Sequence, residues 1–106
     1  MNHGLTEKTV TLIHTVFARH PQVEKAVLYG SRAKGTHQPG SDIDLTLIGG
    51  ELEQALVGRM EDELDDLLLP YQFDLSILAN ISHADLLDHI RRVGVPFYER
   101  TPTAKV

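Results

Sequence analysis

The 106-residue chain contains no cysteine and no tryptophan, and only 6% of it is aromatic. Without thiols it can form no disulfide, no thiolate zinc site and no cysteine nucleophile. That absence is neutral about compartment, so the cytoplasm stands as the default expectation. Basic side chains are also few, 10 Lys and Arg against 15 Asp and Glu, for a formal charge of −5. A general binder of long DNA or RNA needs a net basic footprint, so a long nucleic-acid substrate is not expected. No apolar run approaches the roughly 20 residues of a membrane span. The N-terminal Met1-Asn2-His3-Gly4-Leu5-Thr6-Glu7-Lys8 lacks the charged-then-apolar pattern of a signal peptide. A chain of this length buries roughly 65% of its unfolded surface, which is adequate for one core without staples. The expectation is one soluble domain over 1–106, with Thr101 to Val106 as a flexible tail.

What is present reads as alternating helices and strands. Leu5, Leu12, Ile13, Val16 and Phe17 recur at helical spacing, with Thr6 as a cap and Pro21 beyond, which predicts a helix from about Thr6 to His20. Val23 to Tyr29 suits a short buried strand cut off by Gly30, and Gly35 to Ser41 is a loop. Asp42 to Ile48 alternates, placing Ile43, Leu45 and Leu47 on one face and Asp42, Asp44 and Thr46 on the other. Glu51 to Leu69 carries Leu52, Leu56, Met60, Leu64 and Leu67 along one helical stripe before Pro70. Gln72 to Ile77 alternates again, puts Phe73, Leu75 and Ile77 inward and leaves Asp74 on the polar face. Ser82 and Asp85 resemble a capping box, with Ile81 and Leu86 as its staple and Gly94 at C′ of the last helix. Val95 to Tyr98 can add an edge strand.

Gly30-Ser31-Arg32-Ala33-Lys34-Gly35 sits where a strand ends and a short helix can start. Unpaired N–H groups at such a start, a glycine that permits close approach, a serine hydroxyl and two cations suit a triphosphate. Taken alone, the segment is better described as a serine-capped turn with surface basic residues, since short glycine motifs are weak evidence. Asp42 and Asp44 lie two apart on a strand, about 7 Å along one face, and their oxygens can converge on a hard cation such as Mg²⁺. A solvated strand face is the bland alternative, although adjacent like charges there are mildly unfavourable.

Gly30-Ser31, ten intervening residues, then Asp42-Ile43-Asp44 resembles the signature of the DNA polymerase β nucleotidyltransferase superfamily. At average residue usage this four-residue pattern arises by chance in on the order of one such chain per thousand. Size and element order further resemble the minimal nucleotidyltransferases, small prokaryotic members usually encoded beside a helical HEPN-domain protein. The resemblance runs from the first helix to Gly94-Val95-Pro96-Phe97-Tyr98. It implies an α+β nucleotidyltransferase (polymerase β-like palm) fold, a small mixed sheet with helices packed on one face. It further implies that Gly30, Ser31, Arg32 and Lys34 bind the phosphates of ATP. Asp42, Asp44 and Asp74 would be catalytic and would bind two Mg²⁺ ions. Lys34 stands where Arg is frequent, which keeps the charge but not bidentate geometry.

The implied activity is transfer of AMP from ATP to a hydroxyl, in this group a tyrosine of a HEPN toxin, with this chain as antitoxin in a homo- or hetero-oligomer. Two other readings stand beside it: a non-catalytic module that occludes the toxin, and nucleotidyl transfer to a small molecule such as an aminoglycoside. Of the remaining side chains, His83 and His89 are six apart, a poor fit to one helical face. His37 reads as a solvated loop residue, Tyr29 as a core or rim aromatic, and Glu61 to Asp66 as a solvated helix face.

Overall fold

The computed structural model describes residues 3–100; the expected tail at 101–106 lies outside them. Helix α1 spans Glu7–Ala18 and opens as predicted, the Thr6 side chain accepting the Thr9 N–H at 3.1 Å. Strand β1 covers Lys25–Tyr29, α2 is a single turn over Ser31–Lys34, and β2 runs Ile43–Ile48. Helix α3 covers Gln54–Asp65, β3 covers Phe73–Ile77, and a 3₁₀ turn at Leu78–Asn80 leads to α4, Ala84–Val93, and β4, Val95–Glu99. None of these helices is long and apolar enough to cross a membrane.

The four strands lie in the order β3-β2-β1-β4. β1 pairs antiparallel with both β2 and β4, while β2 and β3 run parallel, joined by α3 as a crossover. The alternation sets the faces. Ala26, Leu28, Ile43, Leu45, Leu47, Leu75 and Ile77 form the sheet side of a core completed by Ile13, Val16 and Phe17 of α1 and Val57, Met60 and Leu64 of α3. The expectation of helices on one face thus holds for α1 and α3. α4 stands against the opposite face: its His89 ring meets Tyr29 edge-on, and the chain after it approaches Val27.

Three boundaries differ from the sequence reading. α3 is shorter than Glu51 to Leu69, because the chain turns at Leu68, which has a φ of 58° and is 89% exposed. Leu52 and Leu67 still pack on the core from outside the helix. α4 is capped by His83 rather than Ser82, its Nδ1 accepting the Leu86 N–H at 3.3 Å. Gly94 is not left-handed: its φ of −63° and ψ of 140° are open to any residue. Crowding explains the glycine there, since a Cβ would strike Ile90 O and come within 2.8 Å of Val27 Cγ1. On the far side, Glu63 of α3 takes up Arg19 and His20 at the end of α1, both at 3.0 Å, and the His20 bond foremost holds its carboxyl below the usual range.

Candidate active site

The site lies on the sheet face turned away from α1 and α3. Register aligns Tyr29 of β1 with Asp44 of β2, and Asp44 with Asp74 of β3, so the three side chains form a row across neighbouring strands. With strands about 4.8 Å apart, two of these neighbours are carboxylates in direct electrostatic contact. Asp42 precedes β2 on the same side; it and Asp74 are exposed, whereas Asp44 is half-buried between them. Burial, reinforced by Asp74 and Asp42, raises the Asp44 carboxyl above its ordinary value, and His89 opposes the shift.

Beneath the row is a hydroxyl shelf. Ser76 Oγ donates to Thr46 Oγ1 at 2.9 Å, on the same sheet face two residues along from Asp74 and Asp44. Burial raises the Tyr29 phenol pKa, the nearby Ser76 hydroxyl opposes the rise, and Asp74 and Asp44 add to it.

The glycine turn closes against these acids. Gly30 has φ 78° and ψ −156°, and a Cβ on it would collide with the Asp44 carboxylate. Its carbonyl accepts the Lys34 N–H at 3.1 Å. The N–H groups of residues 31–33 precede that first helical bond and have no carbonyl four residues back within the helix. Ser31 Oγ makes no hydrogen bond among the described residues. The fold therefore brings Gly30, Ser31, Asp42, Asp44 and Asp74 to one place.

Lys34 is exposed on the last turn of α2 and makes no ion pair among the described residues. Arg32 departs from the expectation. It is 1% exposed, and its guanidinium faces the loop rather than the phosphate turn: Nε and Nη2 donate to Ser41 O at 3.2 and 3.1 Å, and Nη1 to His3 O at 2.9 Å. Tyr71 stacks on it at 4.8 Å. Engaged with two main-chain carbonyls, it holds the loop one residue before Asp42 and is closed off from phosphates in this conformation. Arg32→Met is expected to lower stability by about 1–3 kcal/mol, because two carbonyls lose a buried partner. Urea unfolding checks it, and Arg32→Lys, which lacks the fork, should recover only part.

His89 is the residue that sequence spacing missed. Its Nε2 accepts the Gly30 N–H at 3.1 Å, so α4 reaches the phosphate turn directly. The available signal was its place beside Ile90 on the inward stripe Leu86, His89, Ile90 and Val93, not its distance from His83.

Among the described residues no three His, Cys, Asp or Glu side chains are arranged to hold a metal as they stand. The donor set nevertheless fits Mg²⁺, which takes hard oxygen ligands from one or two carboxylates and completes its shell with water and substrate phosphates. Burial foremost, and then the repulsion of Asp74 and Asp42, raises the Asp44 pKa, and a cation would relieve that repulsion.

No curated protein matches the sequence. Several solved structures share the fold. A chain of a toxin–antitoxin crystal structure with AMP-PNP is 22% identical, with a TM-score of 0.69 over 92% of this chain and 76% of the other. A chain of the toxin–antitoxin MntA-HepT is 18% identical, with a TM-score of 0.66 over 89% and 73%. A structure of a tri-AMPylated Shewanella oneidensis HEPN toxin with an MNT antitoxin contains a chain 18% identical, with a TM-score of 0.67 over 90% and 73%. The family model described as "Polymerase beta, Nucleotidyltransferase" matches residues 12–103. With the glycine turn pressed against a row of strand carboxylates and nearly the whole chain matched, this protein belongs to the polymerase beta nucleotidyltransferase family.

Proposed function

We propose that the chain transfers AMP from ATP to a tyrosine hydroxyl of a HEPN toxin and thereby acts as its antitoxin. The observation that carries this reading is the contact of Gly30 with Asp44, which makes the phosphate turn and the acidic row a single site. In this reading Gly30 and Ser31 hold the triphosphate, and Lys34 lends charge from the end of α2. Asp42, Asp44 and Asp74 would hold Mg²⁺, two ions being the family expectation. When bound, such ions neutralise charge on the attacking and leaving oxygens of an in-line displacement.

The acceptor oxygen attacks the α-phosphorus, the bond to the β-phosphate oxygen breaks, and pyrophosphate leaves. The hydroxyl proton passes to Asp74, which is exposed and so open to an incoming acceptor. Exposure of Asp42 and Asp74 on the open sheet face favours an acceptor that arrives on another macromolecule. The net charge of −5 suits a basic partner surface, and ATP and partner would meet in the cytoplasm.

Incubation with the HEPN partner, ATP and Mg²⁺ is expected to raise the partner's intact mass in AMP steps, and chelation should abolish the gain. If no AMP appears while the Asp42→Ala/Asp44→Ala double variant neutralises the toxin as well as wild type, occlusion is the mechanism. AMP found on a small molecule and not on the protein would point to the third reading.

A further inference from the structure

Gly30 is held from three sides. The Asp44 carboxylate fills the space a Cβ would take, the Lys34 N–H holds its carbonyl, and His89 from a distant helix takes its N–H. Its ψ of −156° with a positive φ is a conformation that glycine alone reaches easily, and glycine is also the residue freest to leave it. Something must hold it there for the next three N–H groups to face one ligand.

We propose that His89 is a positioning residue for the phosphate turn: by accepting the Gly30 N–H it holds the β1–α2 junction in the form that receives nucleotide phosphates. This rests on the function proposed above. The bond also ties the turn to α4, whose one buried side chain is Ile90. The His89 ring is seated in turn against Tyr29, 6.1 Å between centroids and close to perpendicular. Tyr29 lies directly across from Asp44, so the residue that seats the imidazole is the strand neighbour of the carboxylate row. A preformed turn avoids the ordering penalty that a free one incurs on binding.

The test uses the full chain with Mg²⁺ and a non-hydrolysable ATP analogue, read by calorimetry, together with hydrogen exchange of the Gly30 amide by NMR. His89→Phe keeps a ring against Tyr29 but has no acceptor. Loss of one hydrogen bond is expected to weaken analogue binding roughly three- to tenfold and to speed Gly30 exchange by a similar factor. His89→Gln, whose side-chain oxygen reaches about as far as Nε2, should restore most of both. If His89→Phe does not fold, the comparison of Gln with the shorter Asn carries the same expectation.

Unchanged analogue affinity in the variant without an acceptor overturns the role, as does failure of Gln to restore either readout. Wild-type protein that binds no analogue sinks the proposed function and this role with it. Wild-type binding indifferent to position 89 sinks the role alone.

Discussion

Asp44→Asn is expected to lower nucleotidyl transfer by about 10³-fold or more, and to raise the thermal midpoint of the metal-free protein at neutral pH. On the proposed function the activity loss follows from the several kcal/mol of charge stabilisation that a metal held by Asp44 would supply, at about 1.4 kcal/mol per tenfold in rate. The gain in stability follows from the surroundings of Asp44. Burial first, then Asp74 and Asp42, raise its carboxyl above the ordinary 3.8. An acid with a raised folded pKa favours the native state fully below its unfolded value, and that contribution is lost as pH rises through the folded value. At pH 7 the ionised group therefore opposes folding, and a neutral amide of the same shape does not. Melts across pH check it: the advantage of Asn should shrink as pH falls into the carboxylate range. On the proposed function it should narrow also when Mg²⁺ is added, because an ion held by Asp44 would stabilise wild type preferentially. An Asn variant that melts below wild type at pH 7 without metal would contradict the electrostatic account.

Gly30→Ala is expected to cut transfer by about 10²-fold or more, since a displacement near 1 Å of positioning groups has that effect. Two penalties coincide at this residue. Its φ of 78° with ψ of −156° costs a side-chain-bearing residue about 1–3 kcal/mol. The added Cβ would also collide with the Asp44 carboxylate, so either the turn or the acid must shift. Gly35→Ala separates the two effects. Gly35 has a similar φ of 82° but nothing within 4 Å of a Cβ, so it should lose stability while keeping most of its activity. Steady-state rates and melts of the pair check this. Equal losses of activity would mean that strain rather than contact with Asp44 governs the turn.

Much of the fold was readable because its signals are local. The alternation of Asp42 to Ile48 and Gln72 to Ile77 depends only on the two-residue period of a strand, and it assigned the buried Ile43, Leu45, Leu47, Leu75 and Ile77 correctly. Thr6 caps α1 because its hydroxyl needs only the N–H three residues on. The Gly30-Ser31 and Asp42-Ile43-Asp44 spacing marked the residues that the fold gathers at one place. Helix ends were less legible: Ser82 and His83 both offer an acceptor, and which one closes depends on how the chain enters α4.

By itself, then, the sequence determined the order of elements, the buried face of each strand and the acids on the opposite face, since all of these follow from periodicities within a few residues. Tertiary structure alone decided the parallel register that sets Asp74 beside Asp44, the turning of Arg32 toward Ser41 and His3, and the arrival of His89 at Gly30. Each of those joins groups between nine and 59 residues apart. Which donor meets which acceptor over such separations is settled by the packing of the whole sheet and its helices, and no local pattern encodes it.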